Sequence, residues 1–321
     1  MVTANNKRLQ ILSGSLHREL AQKVAQKLGA HVSPIELVKF ANGEIKCQLE
    51  ESVRGADVFV FQTHGNPVNE AIMEQAIIID AAKRASAKHI TAVCPLFGYA
   101  RQDRKASGRE PIAAKLVVDI LSIAGADRIV SLNLHSGQIQ GFFDGPFDHL
   151  TALPLLAEYL KGRFGEDFVI VSADSGRVKM AGRYADYLNT DLAIIHKRRT
   201  ATNRAEALDV IGEVKGRNCV IVDDMVDTAG TVVAAAEQLK KHGAIRISAV
   251  ASHGLFSPPA VERLKKSSID HLIVTDTLPQ TVKLTKPSLE VVSIVDLLAD
   301  AVKAIFEEKS VSALFGGHNQ T

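Results

Sequence analysis

Between Asp223 and Val232 the chain carries two kinds of polar group that one small ligand could engage at once. Cys219-Val220-Ile221-Val222 is an unbroken apolar run, which predicts a buried strand. Two carboxylates, Asp223 and Asp224, follow at its C-terminal edge, and Met225-Val226-Asp227-Thr228-Ala229-Gly230-Thr231-Val232 then turns into a helix. A helix N-terminus presents unpaired N–H groups and a partial positive charge, so it accepts a phosphate. Ala229 and Gly230 are small enough for the backbone to approach an anion. Thr228 and Thr231 add hydroxyl donors. Acids repel phosphate, but an ionised Asp only accepts hydrogen bonds and suits the two hydroxyls of a sugar diol. Phosphate at one end and diol at the other describe a ribose carrying a 5-phosphate. Simple helix capping would need one Asp or Thr, not two acids and a Thr-Ala-Gly-Thr turn.

Four other polar stretches interrupt apolar ones. Gly98–Pro111 is basic and includes Tyr99-Ala100-Arg101-Gln102-Asp103-Arg104, which alternates cationic and hydrogen-bonding groups as triphosphate binding requires. On charge alone, a solvated basic loop explains it equally well. Lys197–Glu206 holds Lys197, Arg198, Arg199 and Arg204. Ser172-Ala173-Asp174-Ser175-Gly176-Arg177 follows an apolar run, and His135 ends another. Phe40-Ala41-Asn42-Gly43-Glu44 contains a ring able to stack on a purine and two groups able to read its edge. Taken alone, Asn42-Gly43 is a hairpin turn.

These residues need a frame, and the pattern supplies one. Strands are predicted at Leu9–Leu12, Asp57–Thr63, Ile90–Phe97 and Arg128–Leu134, with helices over Leu16–Leu28, Val68–Arg84 and Ile112–Ile123. A second series follows: helix Leu153–Leu160, strand Phe168–Val171, helix Val178–Leu188, strands Leu192–Ile195 and Cys219–Val222, helix Val232–Lys241, strands Ile247–Ala251 and Leu272–Thr275, and helix Val295–Phe306. Such alternation implies α/β architecture with mainly parallel sheets flanked by helices. Two domains are expected, residues 1–150 and 151–321, with Gly145-Pro146 turning the chain just before the boundary. Loops leaving the C-terminal ends of the strands would build the ligand site.

Composition narrows the function. A formal net charge of +2 is too balanced to suggest nucleic acid or a membrane surface, so anions must be held by local Lys and Arg. Cys47, Cys94 and Cys219 form no C-x-x-C pair, which predicts buried thiols rather than disulfides or zinc. Without an apolar run of signal or membrane-span length, a cytoplasmic location is expected. There is no G-x-x-x-x-G-K-[ST] and no H-E-x-x-H, so any ATP site is of a non-Walker kind.

The stretch Val222–Thr231 resembles the phosphoribosyl-binding motif of type I phosphoribosyltransferases and of ribose-phosphate pyrophosphokinases. Phe40–Glu44, Tyr99–Arg104, His135 with Gln138–Phe143, His196–Arg199 and Ser310–Phe315 resemble the pyrophosphokinases specifically. The resemblance runs from about Leu9 to Phe315. It implies two tandem phosphoribosyltransferase-like domains and transfer of the diphosphoryl group of ATP to ribose 5-phosphate. It further implies that Phe40, Asn42, Gly43, Glu44, Arg101 and Gln102 contact ATP, the first four in a neighbouring subunit's site. Asp223, Asp224, Thr228, Ala229, Gly230, Thr231 and Val232, with Arg199, would hold ribose 5-phosphate. Lys197 and Arg199 would be catalytic, and His135 and Asp174 would serve Mg2+. A homo-oligomer, commonly a hexamer, controlled by phosphate and ADP is also implied.

Three positions depart from the pattern. Asn133 stands where the pyrophosphokinases have Asp, Ala173 where they have Pro, and Arg177 where they have Gly. Arg177 either adds a phosphate contact or blocks close backbone approach. Two rivals complete the field. A phosphoribosyltransferase would explain Asp223–Thr231 but not the ATP-like segments. A non-catalytic synthetase-associated regulatory protein would fit the departures, but not Lys197, Arg199 or the lack of an insertion in Gly98–Pro111.

Overall fold

The computed structural model describes residues 2–4, 7–199 and 206–315, with no account of the side chains of 2–4, 197–199 and 206–208. Contacts divide the chain into two compact units: Met1–Thr151 with Thr277–Pro279 and Ile294–Thr321, and Ala152–Asp276 with Gln280–Ser293.

The first unit contains β1 (Val2–Ala4), β2 (Lys7–Ser13), α1 (Arg18–Lys27), β3 (Ile35–Lys39), β4 (Ile45–Leu49), β5 (Asp57–Phe61), α2 (Val68–Arg84), β6 (His89–Cys94), α3 (Ala113–Ala124), β7 (Arg128–Leu132) and β8 (Phe147–Leu150). Its six-stranded sheet runs β1-β2-β5-β6-β7-β8, and only the β1–β2 pair is antiparallel. Every residue of β5 is buried, as in a parallel strand covered on both faces. The helix α2 has the predicted bounds and turns Ile72, Ile78, Ile79 and Ala82 into the core. β3 and β4 form a separate antiparallel hairpin that the strand pattern does not predict.

A buried acid shapes the turn after β2. Glu74 on α2 accepts hydrogen bonds from Ser15 N (2.5 Å), Ser15 Oγ (2.9 Å) and Gln62 Nε2 (2.6 Å). A Cβ at Gly14 would lie 2.5 Å from Gln62 Cδ and 2.6 Å from Glu74 Oε1. Gly14→Ala is therefore expected to destabilise by about 1–3 kcal/mol through overpacking. Thermal unfolding checks this, and an unchanged Tm would show that the network yields freely.

The second unit contains α4 (Leu153–Phe164), β9 (Val169–Ser172), α5 (Val178–Leu188), β10 (Leu192–Arg199), β11 (Glu206–Ile211), β12 (Asn218–Val226), α6 (Gly230–Lys241), β13 (Arg246–Gly254), α7 (Ala260–Lys265), β14 (His271–Thr275) and β15 (Ser288–Val292). Its seven strands run β11-β10-β9-β12-β13-β14-β15, with only β10–β11 antiparallel. Strands β10, β12 and β13 run several residues past their predicted ends because their partners continue. β12 runs on to Val226 beside β13, with Met225 opposite His253 and Val226 opposite Gly254. β10 runs on to Arg199 beside β11, so Lys197–Arg199 is strand backbone rather than loop.

The last helix, α8 (Val295–Phe306), returns to the first unit and packs on α1. It buries Leu298, Ala301, Val302 and Phe306, while α1 buries Leu20, Ala21, Val24 and Ala25. Lys27 Nζ meets Asp296 Oδ1 at 2.9 Å on the rim of this contact. Cys94 and Cys219 are buried, and desolvation pushes their thiols up to about 12 and about 11. Cys47, expected to be buried, is only partly so because β4 lies in the peripheral hairpin. Among the described residues no helix is long and apolar enough to cross a membrane.

Candidate active site

In the second unit, β9 lies between β10 and β12. The chain leaves β9 for β10 on one side, and β12 joins on the other, so the winding order reverses between β9 and β12. An open α/β sheet forms its ligand crevice at the C-terminal ends of such a strand pair. The register sets Val222 opposite Ser172, so Asp223 and Ala173 are the next residues along. The Asp174–Arg177 turn and the loop leading to α6 thus leave neighbouring strands.

The two acids are on β12 itself. Asp223 Oδ1 accepts a hydrogen bond from Asp224 N at 2.8 Å. Arg177 reaches both, with Nε 3.3 Å from Asp223 Oδ1 and Nη2 2.9 Å from Asp224 Oδ1. The side chains of Arg177, Asp223 and Asp224 are 19%, 14% and 4% exposed. Arg177 is thus neither a solvated side chain nor a loose loop residue; it is the counter-ion of the acid pair. Burial, followed by the adjoining Asp224, pushes Asp223 up to about 8, and Arg177 pulls in the opposite direction.

Beyond the acids the chain makes the turn that a phosphate cradle needs. Ala229 is left-handed (φ +60°, ψ 10°), and α6 begins at Gly230. The N–H groups of the first helical turn, at Gly230, Thr231 and Val232, have no i−4 carbonyl within the helix. Thr228, Gly230 and Thr231 are exposed, whereas the side chains of Ala229 and Val232 are in the core. Those two positions therefore offer backbone alone to a ligand. Arg263 Nη1 donates to the Thr228 carbonyl at 3.0 Å and braces the turn from α7.

On the facing turn, Asp174 Oδ1 accepts from Gly176 N (2.9 Å), and Ser172 Oγ donates to the Asp174 carbonyl (2.7 Å). The backbones of Lys197 and Arg199 sit on β10 opposite Leu208 and Glu206. Their side chains, and Arg204 altogether, lie outside the described residues.

The first unit gathers its own polar segments. β6 and β7 are parallel neighbours, so the Gly98–Pro111 loop and the segment bearing His135 leave adjacent strand ends. Gln138 Nε2 donates to Asp103 Oδ2 at 2.5 Å and joins the two segments. Buried His64 fixes the start of the loop, since its Nδ1 accepts from Gly98 N at 3.0 Å. Its Nε2 meets Gln75 Oε1 at 2.8 Å, and burial lowers the imidazole to about 4, so it is neutral near pH 7. Arg101 and Gln102 are exposed, and His135 is half-buried.

Phe40–Glu44 is the tip of the β3–β4 hairpin. Gly43 takes φ +93°, Phe40 N donates to the Glu44 carbonyl, and Asn42 bonds Glu44 through both its amide oxygen and its amide nitrogen. Phe40 stands 51% exposed, an unusual position for a phenyl ring. Among the described residues, no group of three or more His, Cys, Asp or Glu is arranged to enclose a metal ion.

Known proteins match this arrangement along the whole chain. Residues 9–125 match the N-terminal domain of ribose phosphate pyrophosphokinase, and residues 198–316 match the phosphoribosyl synthetase-associated domain. The chain is 50% identical over 316 residues to the ribose-phosphate pyrophosphokinase of Streptomyces avermitilis, covering 98% of each. It is 50% identical over 319 residues to that of Mycobacterium leprae, again covering 98% of each. The crystal structure of phosphoribosylpyrophosphate synthetase from Mycobacterium smegmatis superposes with a TM-score of 0.89 at 48% identity, over 94% of this chain and 100% of that one. With a carboxylate pair and a helix-start cradle at one sheet's switch point, and full-length identity near one half, the chain belongs to the ribose-phosphate pyrophosphokinase family.

Proposed function

We propose that the chain is a ribose-phosphate pyrophosphokinase that makes phosphoribosyl pyrophosphate and AMP from ribose 5-phosphate and ATP. The observation that carries this reading is the switch-point crevice, where Asp223 and Asp224 lie beside the start of α6. The 5-phosphate takes N–H groups of Gly230, Thr231 and Val232 and the hydroxyls of Thr228 and Thr231, while the acids accept from the ribose hydroxyls. Arg199 adds a cation to the sugar phosphate. The C1 hydroxyl oxygen attacks the β-phosphorus of ATP and loses its proton. The bond from that phosphorus to the α–β bridging oxygen breaks, the oxygen leaves on AMP, and the β- and γ-phosphoryl groups move together.

Phosphoryl transfer is governed by positioning and by neutralising developing charge. We assign that neutralisation to Lys197 and Arg199. Arg101 and Gln102 hold the ATP phosphates, and Phe40, Asn42, Gly43 and Glu44 take the adenine of a neighbouring subunit. The donor set suits Mg2+, which binds through one or two carboxylates, waters and phosphates rather than a protein cage. Asp174 would hold it directly, and His135 through water or phosphate. When bound, the ion withdraws charge from the ATP oxygens. Family membership also supports a homo-oligomer, read here as a hexamer, with phosphate and ADP as effectors.

The test is AMP formation from ATP and ribose 5-phosphate under saturating magnesium and phosphate. Activity that requires both substrates is expected. Turnover only with a base and phosphoribosyl pyrophosphate would indicate a phosphoribosyltransferase, and no turnover a regulatory protein.

A further inference from the structure

A turn that brings backbone close to a ligand favours a small residue at its end, yet the turn after β9 ends in Arg177. Its guanidinium is mostly buried and directed at β12, and it uses two different nitrogens on two different carboxylates. We propose that Arg177 is a positioning residue for the sugar, holding Asp223 and Asp224 as one fixed pair of acceptors for the ribose diol. This rests on the reading of those acids as the sugar-binding groups.

Three physical points support it. Two buried carboxylates side by side cannot both ionise without a cation close by. A diol is best met by ionised, acceptor-only oxygens. A planar guanidinium can engage two acids at defined angles, which a lysine ammonium cannot do with the same rigidity. Asp224, adjoining on β12, and Arg177, from the turn after β9, are the charged groups that bear on Asp223. The same side chain links the acids to the turn bearing Asp174, so the two edges of the crevice are held by one ion-pair set.

The experiment varies ribose 5-phosphate at saturating ATP from about pH 6 to about pH 10. Native chain, Arg177→Met, Arg177→Lys and Asp223→Asn are compared, with thermal unfolding alongside. Arg177→Met is expected to raise the KM for the sugar about tenfold or more near neutral pH, with a smaller change in kcat. The pH at which KM falls should also move upward, because loss of a cation raises a neighbouring carboxyl pKa. The substrate's own phosphate titrates equally in every variant, so the displacement between profiles isolates the protein groups. Arg177→Lys should keep the native midpoint and show an intermediate KM.

An unchanged KM, or one raised equally at every pH, overturns the proposal. If the methionine variant does not fold, the lysine variant decides: an intermediate KM supports the two-acid grip, and a native KM overturns it. Asp223→Asn separates this inference from the one beneath it. A native sugar KM there means that the acids do not hold the sugar. A raised KM there, with no displaced profile in Arg177→Met, removes Arg177 alone.

Discussion

Replacing Lys197 with alanine is expected to lower kcat by roughly 10²–10³-fold, the usual loss when one preorganised charge-stabilising donor is removed. KM for ATP and for ribose 5-phosphate should stay within a few fold of native. The split follows from where the charge is needed. A cation that meets the phosphates mainly as the β–α bridge breaks stabilises the transition state more than the bound ground state, so its loss falls on kcat. The backbone of Lys197 lies near the end of β10, in the stretch paired antiparallel with β11. Rapid-quench measurement of AMP would separate the chemical step from release. Near-native turnover in Lys197→Ala would remove that residue from the mechanism.

Asp223→Asn is expected to show opposite effects on binding and on folding. At alkaline pH, where Asp223 is ionised, removing one of the two acceptors should raise the KM for ribose 5-phosphate about 10–100-fold, the worth of one to two strong charge-assisted hydrogen bonds. Stability should move the other way at alkaline pH. Asp223 is pushed from 3.8 up to about 8 in the folded chain. Between those values the native state holds a proton that the unfolded chain has lost, so stability falls as pH rises through this window. Asparagine carries no such proton and removes that dependence. Unfolding followed from about pH 5 to about pH 9 should therefore show a flatter profile for the variant. A native chain and a variant with parallel profiles would contradict the burial described for this carboxyl.

Much of this arrangement could be read in advance, for identifiable reasons. Helices α2, α5 and α8 kept their predicted bounds because their apolar residues recur at helical spacing and flanking segments break it. Strands failed where their sequence was polar. Lys197–Arg199 looks like a loop by composition, and only the pairing with β11 makes it a strand. The β3–β4 hairpin is partly exposed, so its alternation is faint, although Asn42-Gly43 marked the turn. The turn from β12 into α6 was legible because its signals are local: an apolar run, then polar and small residues, then helical spacing. The ion pair between Arg177 and the acids was not, since 46 or more residues separate them and only the adjacency of β9 and β12 brings them together. Knowing that adjacency, the signal is a cation three residues past Asp174 at a strand end.

The return of α8 to α1 has a bearing on how the chain is made. The first unit's leading segment ends at Thr151, but part of its apolar covering is encoded after Ser293, in Ile294–Thr321. During synthesis, the face of α1 bearing Leu20 and Val24 must wait for the second unit to emerge before α8 can cover it. Vectorial folding that completes the N-terminal unit first is therefore closed to this topology. Final docking of that unit is a late, long-range event that closes the loop from α1 to α8.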